Sequence, residues 1–270
     1  MKFGFIGLGN MGTSLAAGLL ESGAISPENT MIANRSLGKA ESFAKRYPGV
    51  TVFESNLKVA EGSDAVFVTV RTDQLLGVLK EISSAGKGVH VVVVNGAVPL
   101  SVLEAVCKCP VSKLIPSVTI ERGRGVSLVS HGPSVSVSRS RSLERSLGLA
   151  SKVIMVPEDR MDVATDLTSC GPALIAEMMH QFAEAGVRHG IDRKDAWEMV
   201  LETMQGAALA LASGESVASL KERVATKGGI TEQGLLVLEA ELPTVFDMVM
   251  DRTLAKHAEV RERLMKDIDP

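Results

Sequence analysis

Gly7, Gly9 and Gly12 form a Gly-x-Gly-x-x-Gly run inside "KFGFIGLGNMGTSLAAGLLESG". An apolar stretch that reads as a strand precedes it, and an amphipathic stretch that reads as a helix closed by Gly23 follows. The bare pattern says little in a chain with 25 glycines among 270 residues, but its position constrains the fold. A strand that turns at once into a helix is the first half of a βαβ unit. Gly7 permits the tight turn, Gly9 lets a pyrophosphate approach the backbone, and Gly12 lets the helix lie close on the strand. Free N–H groups and the dipole at the helix start then favour phosphate. A dinucleotide site is expected here, with Asn10 and Met11 in the same turn.

The rest of the first half keeps the alternation. "TMIANR", "DAVFVTV", "HVVVVN", "KLIPS", "GVSLVS" and "KVIMVP" read as short strands, with helical pieces between most of them. Continuous Val/Ile-rich runs are the texture of strands buried on both faces, and their alternation with helices predicts a mostly parallel, doubly wound α/β sheet. "SVSVSRSRSLERS" reads as the start of a solvated helix rather than an arginine–serine tract. Past Glu158 the pattern turns helical. "MDVATDLTSCGPALIAEMMHQFAEAG" is one long helical stretch interrupted at Cys170-Gly171-Pro172, and "DRKDAWEMVLETMQGAALALASG" is another, capped by Asp192 and ended by Gly214. "SVASLKERVA" leads to a Gly-Gly loop, after which two further helices are expected. The predicted division is a Rossmann-type domain over 1–157 and an all-helical domain over 158–270.

Composition removes several function classes. The formal charge of −3 argues against a nucleic-acid or membrane-surface binder, and 3% aromatics against a base-stacking platform. No apolar run is long enough to span a bilayer, and the amino terminus lacks a signal-peptide pattern, so the cytoplasm is the expected location. Cys107, Cys109 and Cys170 make neither a zinc site nor a disulfide framework, and no metal is expected.

The end of the second strand selects the cofactor. An NAD-preferring site usually places Asp or Glu there, whereas this chain has Asn34, Arg35 and Ser36, with Lys39 one turn on. A guanidinium, a hydroxyl and an ammonium suit a 2′-phosphate, so NADPH is expected, with NADH possible.

Taken with the order of segments between them, two further stretches resemble the pyrroline-5-carboxylate reductase family over nearly the whole chain. "TKGGIT" (Thr226 to Thr231), continuing "EQGLLVLE", is similar to the family's "SPGGxT" signature, and "TSCGPAL" (Thr168 to Leu174) to its "SGSGPAY" segment. The resemblance implies a Rossmann domain followed by a helical dimerisation domain, a homodimer or higher homo-oligomer, and an imino-acid substrate. The implied reaction is NADPH-dependent reduction of 1-pyrroline-5-carboxylate to proline. It also implies site residues. The Gly228-Gly229 backbone would close on the substrate carboxylate, since bare N–H groups bind an anion and a β-carbon would hold it away. Thr231 matches the signature threonine and takes the catalytic position, with Thr226, Thr168 and Cys170 on the substrate. Arg71 and Asn95 join the cofactor set. No acid–base dyad is visible, and all five histidines stand apart from these motifs. Such a protein would mainly orient the reactants.

Departures from the family fall at Ile115-Pro116-Ser117 for Met-Pro-Asn, Arg71-Thr72 for Lys-Pro, Thr226-Lys227 for Ser-Pro, and Leu174 for Tyr. They leave two alternatives open: reduction of another imino acid, or a nicotinamide-binding protein without reductase activity. The β-hydroxyacid dehydrogenase plan is set aside because "CGPALIAEMMHQ" offers no lysine.

Overall fold

The computed structural model describes residues 1–268. Eight strands form one sheet in the order β3-β2-β1-β4-β5-β6-β7-β8. They are β1 (Phe3–Ile6), β2 (Thr30–Ala33), β3 (Thr51–Phe53), β4 (Ala65–Val68), β5 (His90–Val93), β6 (Val111–Pro116), β7 (Val126–His131) and β8 (Lys152–Met155). Neighbours pair in parallel except β6 and β7. Helices α1 (Asn10–Glu21), α2 (Leu37–Arg46), α3 (Asn56–Gly62), α4 (Thr72–Ile82), α5 (Leu100–Val106) and α6 (Val137–Ala150) cover both faces.

The period of two along each strand divides the core. Phe3 and Phe5 of β1 and Phe67 of β4 pack with Leu15 and Leu19 of α1 and Leu143 and Leu147 of α6. Ile6, Val66 and Val68 face the other way, onto Leu75 and Leu79 of α4 and Leu103 of α5. The sequence missed β3, whose three residues are too short and too exposed to show a buried run.

α7 (Met161–Thr165) is followed by a π-helical turn, Asp166–Cys170, and then by α8 (Gly171–Arg188). The expected interruption at Cys170-Gly171-Pro172 is therefore a change of winding rather than a break, since Pro172 lies in the first turn of α8, where its missing N–H is harmless. α9 (Arg193–Ala212) and α10 (Val217–Val224) follow, with Asp192 accepting from Lys194 N at 2.9 Å as the cap of α9. The two terminal helices expected from the sequence are one, α11 (Ile230–Ile268), of 39 residues with Pro243 inside. A proline removes one donor, and the good helix formers around it carry the helix through.

The chain packs as two compact units, residues 1–170 with the last turns of α11 from Leu254 onward, and Gly171–Thr253. Within the second, Ala183, Ala196 and Val200 form a small core. Many of its large apolar side chains lie outside that core, including Phe182, Met199, Leu209, Ile230 and Val237. No described helix is long and apolar enough to cross a membrane.

At the far end of the first unit, a buried polar chain crosses the sheet. His90 Nε2 is 2.7 Å from Ser112 Oγ, that oxygen is 2.6 Å from His131 Nδ1, and His131 Nε2 is 3.2 Å from Glu144 Oε1. Burial, and then the nearby His131 and Arg139, lower the His90 pKa from 6.5 to about 4. The unfolded chain thus binds a proton that the folded chain refuses, so stability is retained above pH 6.5 and falls as pH drops toward 4. This group should account for a loss of about 2 kcal/mol between pH 6.5 and about pH 4.5. Urea denaturation across that window should show the slope, flattened in His90→Leu; an equal slope in the variant would remove His90 as its source.

Candidate active site

The Gly-rich turn is built as its residue types require. Gly7 has φ +96°, and its N–H donates to Ala33 O at 2.9 Å, tying the turn to β2. A Cβ on Gly12 would lie 2.5 Å from Thr69 Oγ1 and closer still to Gly7 O. Glycine here lets α1 rest directly on the strand ends. Thr69, which the sequence gave no reason to single out, donates its hydroxyl to Gly7 O, and its N–H donates to Ile6 O at 2.9 Å. Gly9 differs, because a Cβ there would meet nothing within 4 Å. Its side faces open space at the start of α1. The first helical bond runs from Thr13 N to Gly9 O, and no side chain caps the helix. The amides of Asn10, Met11 and Gly12 therefore lack intrahelical acceptors and form a cradle for an anion.

Beside this turn is a cleft of about 700 Å³, lined by Gly7, Gly9, Asn34, Arg35, Ser36, Lys39, Glu54 and Arg71 among others. It lies at the carboxyl ends of the strands, where β1 meets β4 and the strand order reverses. Asn34 is spent on positioning: its Oδ1 accepts from Leu8 N at 2.8 Å, and its Nδ2 donates to Ser36 O at 2.9 Å. It thereby joins the Gly-rich turn to the start of α2. Arg35, Ser36 and Lys39 are exposed on that start, and Ser36 does not cap its own helix. Glu54, at the end of the missed strand β3, adds a carboxylate. Arg35, Lys39 and Arg71 against Glu54 still leave a positive balance among the lining charges.

The other expected residues are placed as follows. Asn10 borders an adjoining cleft with Ser36 and Lys39. Asn95 donates to Thr72 Oγ1 and accepts from the amides of Ala97 and Val98, each at 2.9 Å, so it braces the loop after β5. Thr168 donates to Ala164 O at 2.8 Å within its own helix. Cys170 ends the π turn. Burial, then the charge and hydrogen bonding of Asp166, push its thiol pKa up, which keeps it a thiol rather than a nucleophile. Asp166, with a fully buried side chain, has His257 Nε2 3.0 Å away. His257 Nδ1 lies 3.8 Å from Asp162 Oδ1, and Arg261 binds the other Asp162 oxygen. Nothing in the sequence linked these distant positions.

In the second unit, Gly228 has φ +75°, and its N–H donates to Glu232 Oε2 at 2.7 Å. Gly229 closes the turn onto Thr226 O at 2.8 Å. A Cβ on Gly229 would fall 2.5 Å from Thr226 Oγ1, so this position too requires glycine. Thr231 is exposed in the first turn of α11. The turn thus binds a carboxylate already, that of its own helix. No group of three or more His, Cys, Asp or Glu able to hold a metal occurs among the described residues.

Comparison with known proteins gives the family. The chain is 31% identical to pyrroline-5-carboxylate reductase 3 of Danio rerio, over 88% of this chain and 84% of that protein. The chain belongs to the pyrroline-5-carboxylate reductase family. It is also 32% identical to ComE operon protein 4 of Bacillus subtilis (strain 168), over 96% of both chains. Residues 158–260 match the family described as pyrroline-5-carboxylate reductase dimerisation, and residues 2–96 the one described as NADP oxidoreductase, coenzyme F420-dependent. A solved pyrroline-5-carboxylate reductase from Coxiella burnetii superposes with a TM-score of 0.89 at 26% identity, covering 96% of this chain and 98% of that one. This member of the pyrroline-5-carboxylate reductase family is accordingly an NAD(P)-dependent oxidoreductase, with a Rossmann-type sheet followed by a helical region.

Proposed function

We propose that the protein reduces 1-pyrroline-5-carboxylate to proline with NADPH. The observation that carries this reading is the pairing of two glycine-built anion sites in one chain: the open cradle at Gly9 and the Gly228-Gly229 turn, whose amide already holds a carboxylate. The cradle suits a dinucleotide pyrophosphate. Arg35, Ser36 and Lys39 suit a 2′-phosphate, and equal affinity for NADH and NADPH at physiological salt would remove that preference.

Bound NADPH supplies the hydride. The protein's part is to hold the imine carbon in line and exclude competing geometries. In this reading the Gly228 amide takes the substrate carboxylate as the Glu232 side chain gives way, and Gly229, whose own N–H is held by Thr226 O, keeps the approach free of a β-carbon. Thr231 offers its hydroxyl to the ring nitrogen, with Thr226 in the same turn. The imine nitrogen enters protonated, so hydride addition to the carbon leaves a neutral amine and needs no strong enzymic acid. The exposed apolar side chains of the helical unit, together with the family described as dimerisation, support a homodimer or higher homo-oligomer.

A second imino acid is favoured by one feature. Ser117, where the family has Asn, is buried, and its hydroxyl sits 2.8 Å from Thr119 Oγ1. Turnover of the five-membered imine against its six-membered homologue decides between the two readings. Robust five-membered turnover, with KM raised about ten-fold in Thr231→Ala through loss of one hydrogen bond, is the expected result. Turnover of the larger ring alone would transfer the reading to it.

A further inference from the structure

Lys113 is out of character for its place in the sheet. It lies in β6 with its side chain 2% exposed, and its ammonium is 2.9 Å from Glu158 Oε1 and 3.2 Å from Gly96 O. The same glutamate oxygen accepts from Leu100 N at 2.7 Å. Removing an ammonium from water is costly, and a well-packed apolar pair of similar volume usually holds a fold as well or better. The ion pair therefore calls for a reason other than stability.

Its contacts converge on the loop between β5 and α5, residues 94–99. Among the described residues, that loop and Leu100, the first residue of α5, are tethered to their surroundings at four points. Val94 N donates to Val68 O and Asn95 Nδ2 to Thr72 Oγ1, both at 2.9 Å. The remaining two tethers, Gly96 O to Lys113 and Leu100 N to Glu158, both run through the ion pair. In a doubly wound sheet a dinucleotide lies across the carboxyl ends of the strands, one half on each side of the switch point. Arg35 and Lys39 put the adenosine half over β2, so the nicotinamide half falls on the β4–β5 side, beside this loop.

We propose that Lys113 and Glu158 are positioning residues that fix the 94–99 loop as a wall of the nicotinamide end; this rests on the cofactor reading above. With the pair in place the loop has one course. Without it, the Gly96 carbonyl and Leu100 amide lose their partners and the wall moves. Misalignment of reacting atoms lowers kcat, whereas affinity for the cofactor, set largely by its phosphates and adenosine half, changes little.

The double variant Lys113→Met/Glu158→Met removes both charges and both hydrogen-bonding ends and keeps the volume close. It should melt close to the parent and bind NADPH within about three-fold, while kcat on the imino acid falls about ten-fold or more. Amides of Ala97, Val98 and Leu100 should exchange with deuterium about ten-fold faster. Lys113→Arg, which keeps the charge, should recover most of the rate. Unchanged loop exchange, or kcat within about two-fold of the parent, overturns the proposal. Should the double variant not fold, Lys113→Met alone, which takes the partner from Gly96 O, decides by the same two readouts. Failure of the parent itself to bind NADPH would strike the cofactor reading, while the exchange data would still judge the loop.

Discussion

Gly12→Ala is expected to bind NADPH about 100-fold more weakly than the parent and to lose about 2 kcal/mol of stability. Both effects have one cause. The added methyl would sit 2.5 Å from Thr69 Oγ1 and closer to the Gly7 carbonyl, so α1 must lift off the strand ends. The neighbour is backbone, which cannot rotate out of the way. Lifting α1 displaces the amides of Asn10 and Met11 that form the anion cradle. Gly9→Ala provides the contrast, since its methyl would meet nothing within 4 Å. That variant should melt like the parent yet bind NADPH at least about ten-fold more weakly, because the methyl occupies the space the pyrophosphate needs. Denaturant melts and NADPH titrations of the two proteins separate packing from binding. Parent-like affinity in Gly9→Ala would move the pyrophosphate away from this turn.

His257→Ala should destabilise the protein by about 2 kcal/mol through loss of one hydrogen bond to a buried acidic side chain. Asp166 has no exposed side-chain surface, and His257 Nε2 is 3.0 Å from its Oδ1. Deleting the imidazole takes one partner from a side chain to which water has poor access, while the Cys170 thiol stays beside it. Asp166→Ala should cost less, because His257 is 26% exposed and can turn to solvent. The double variant should fall well short of the sum of the two. Urea melts of the three proteins give the order. A His257→Ala cost no greater than that of Asp166→Ala would mean that the carboxylate does not depend on the histidine.

Legibility from the sequence followed the range of the interactions. The Gly-rich turn was readable because its requirement is local: strand, turn and helix follow one another, and Gly7 and Gly12 sit where packing demands them. The same holds for Asp192 and for the long apolar strands. β3 was not readable, since three half-exposed residues carry no periodic signal, and Glu54 at its end was lost with it. The join of two expected helices into α11 could not be seen, because Pro243 lowers local propensity while its flanks restore it. Least visible were the long-range polar pairs. Asp166 and His257 are 91 residues apart, and Lys113 and Glu158 are 45 apart. Each reads alone as an ordinary charged or titratable residue. Only the fold shows that each pair meets, with Lys113 and Asp166 buried.

The central claim is hydride transfer from NADPH to the carbon of a five-membered imine. NADPH carrying deuterium at the transferring position, mixed with 1-pyrroline-5-carboxylate and purified protein, tests it most directly, with the product read by mass spectrometry. The account predicts proline labelled at the former imine carbon, formed at a rate that depends on the protein. Unlabelled substrate beside tightly bound, unoxidised NADPH would contradict it.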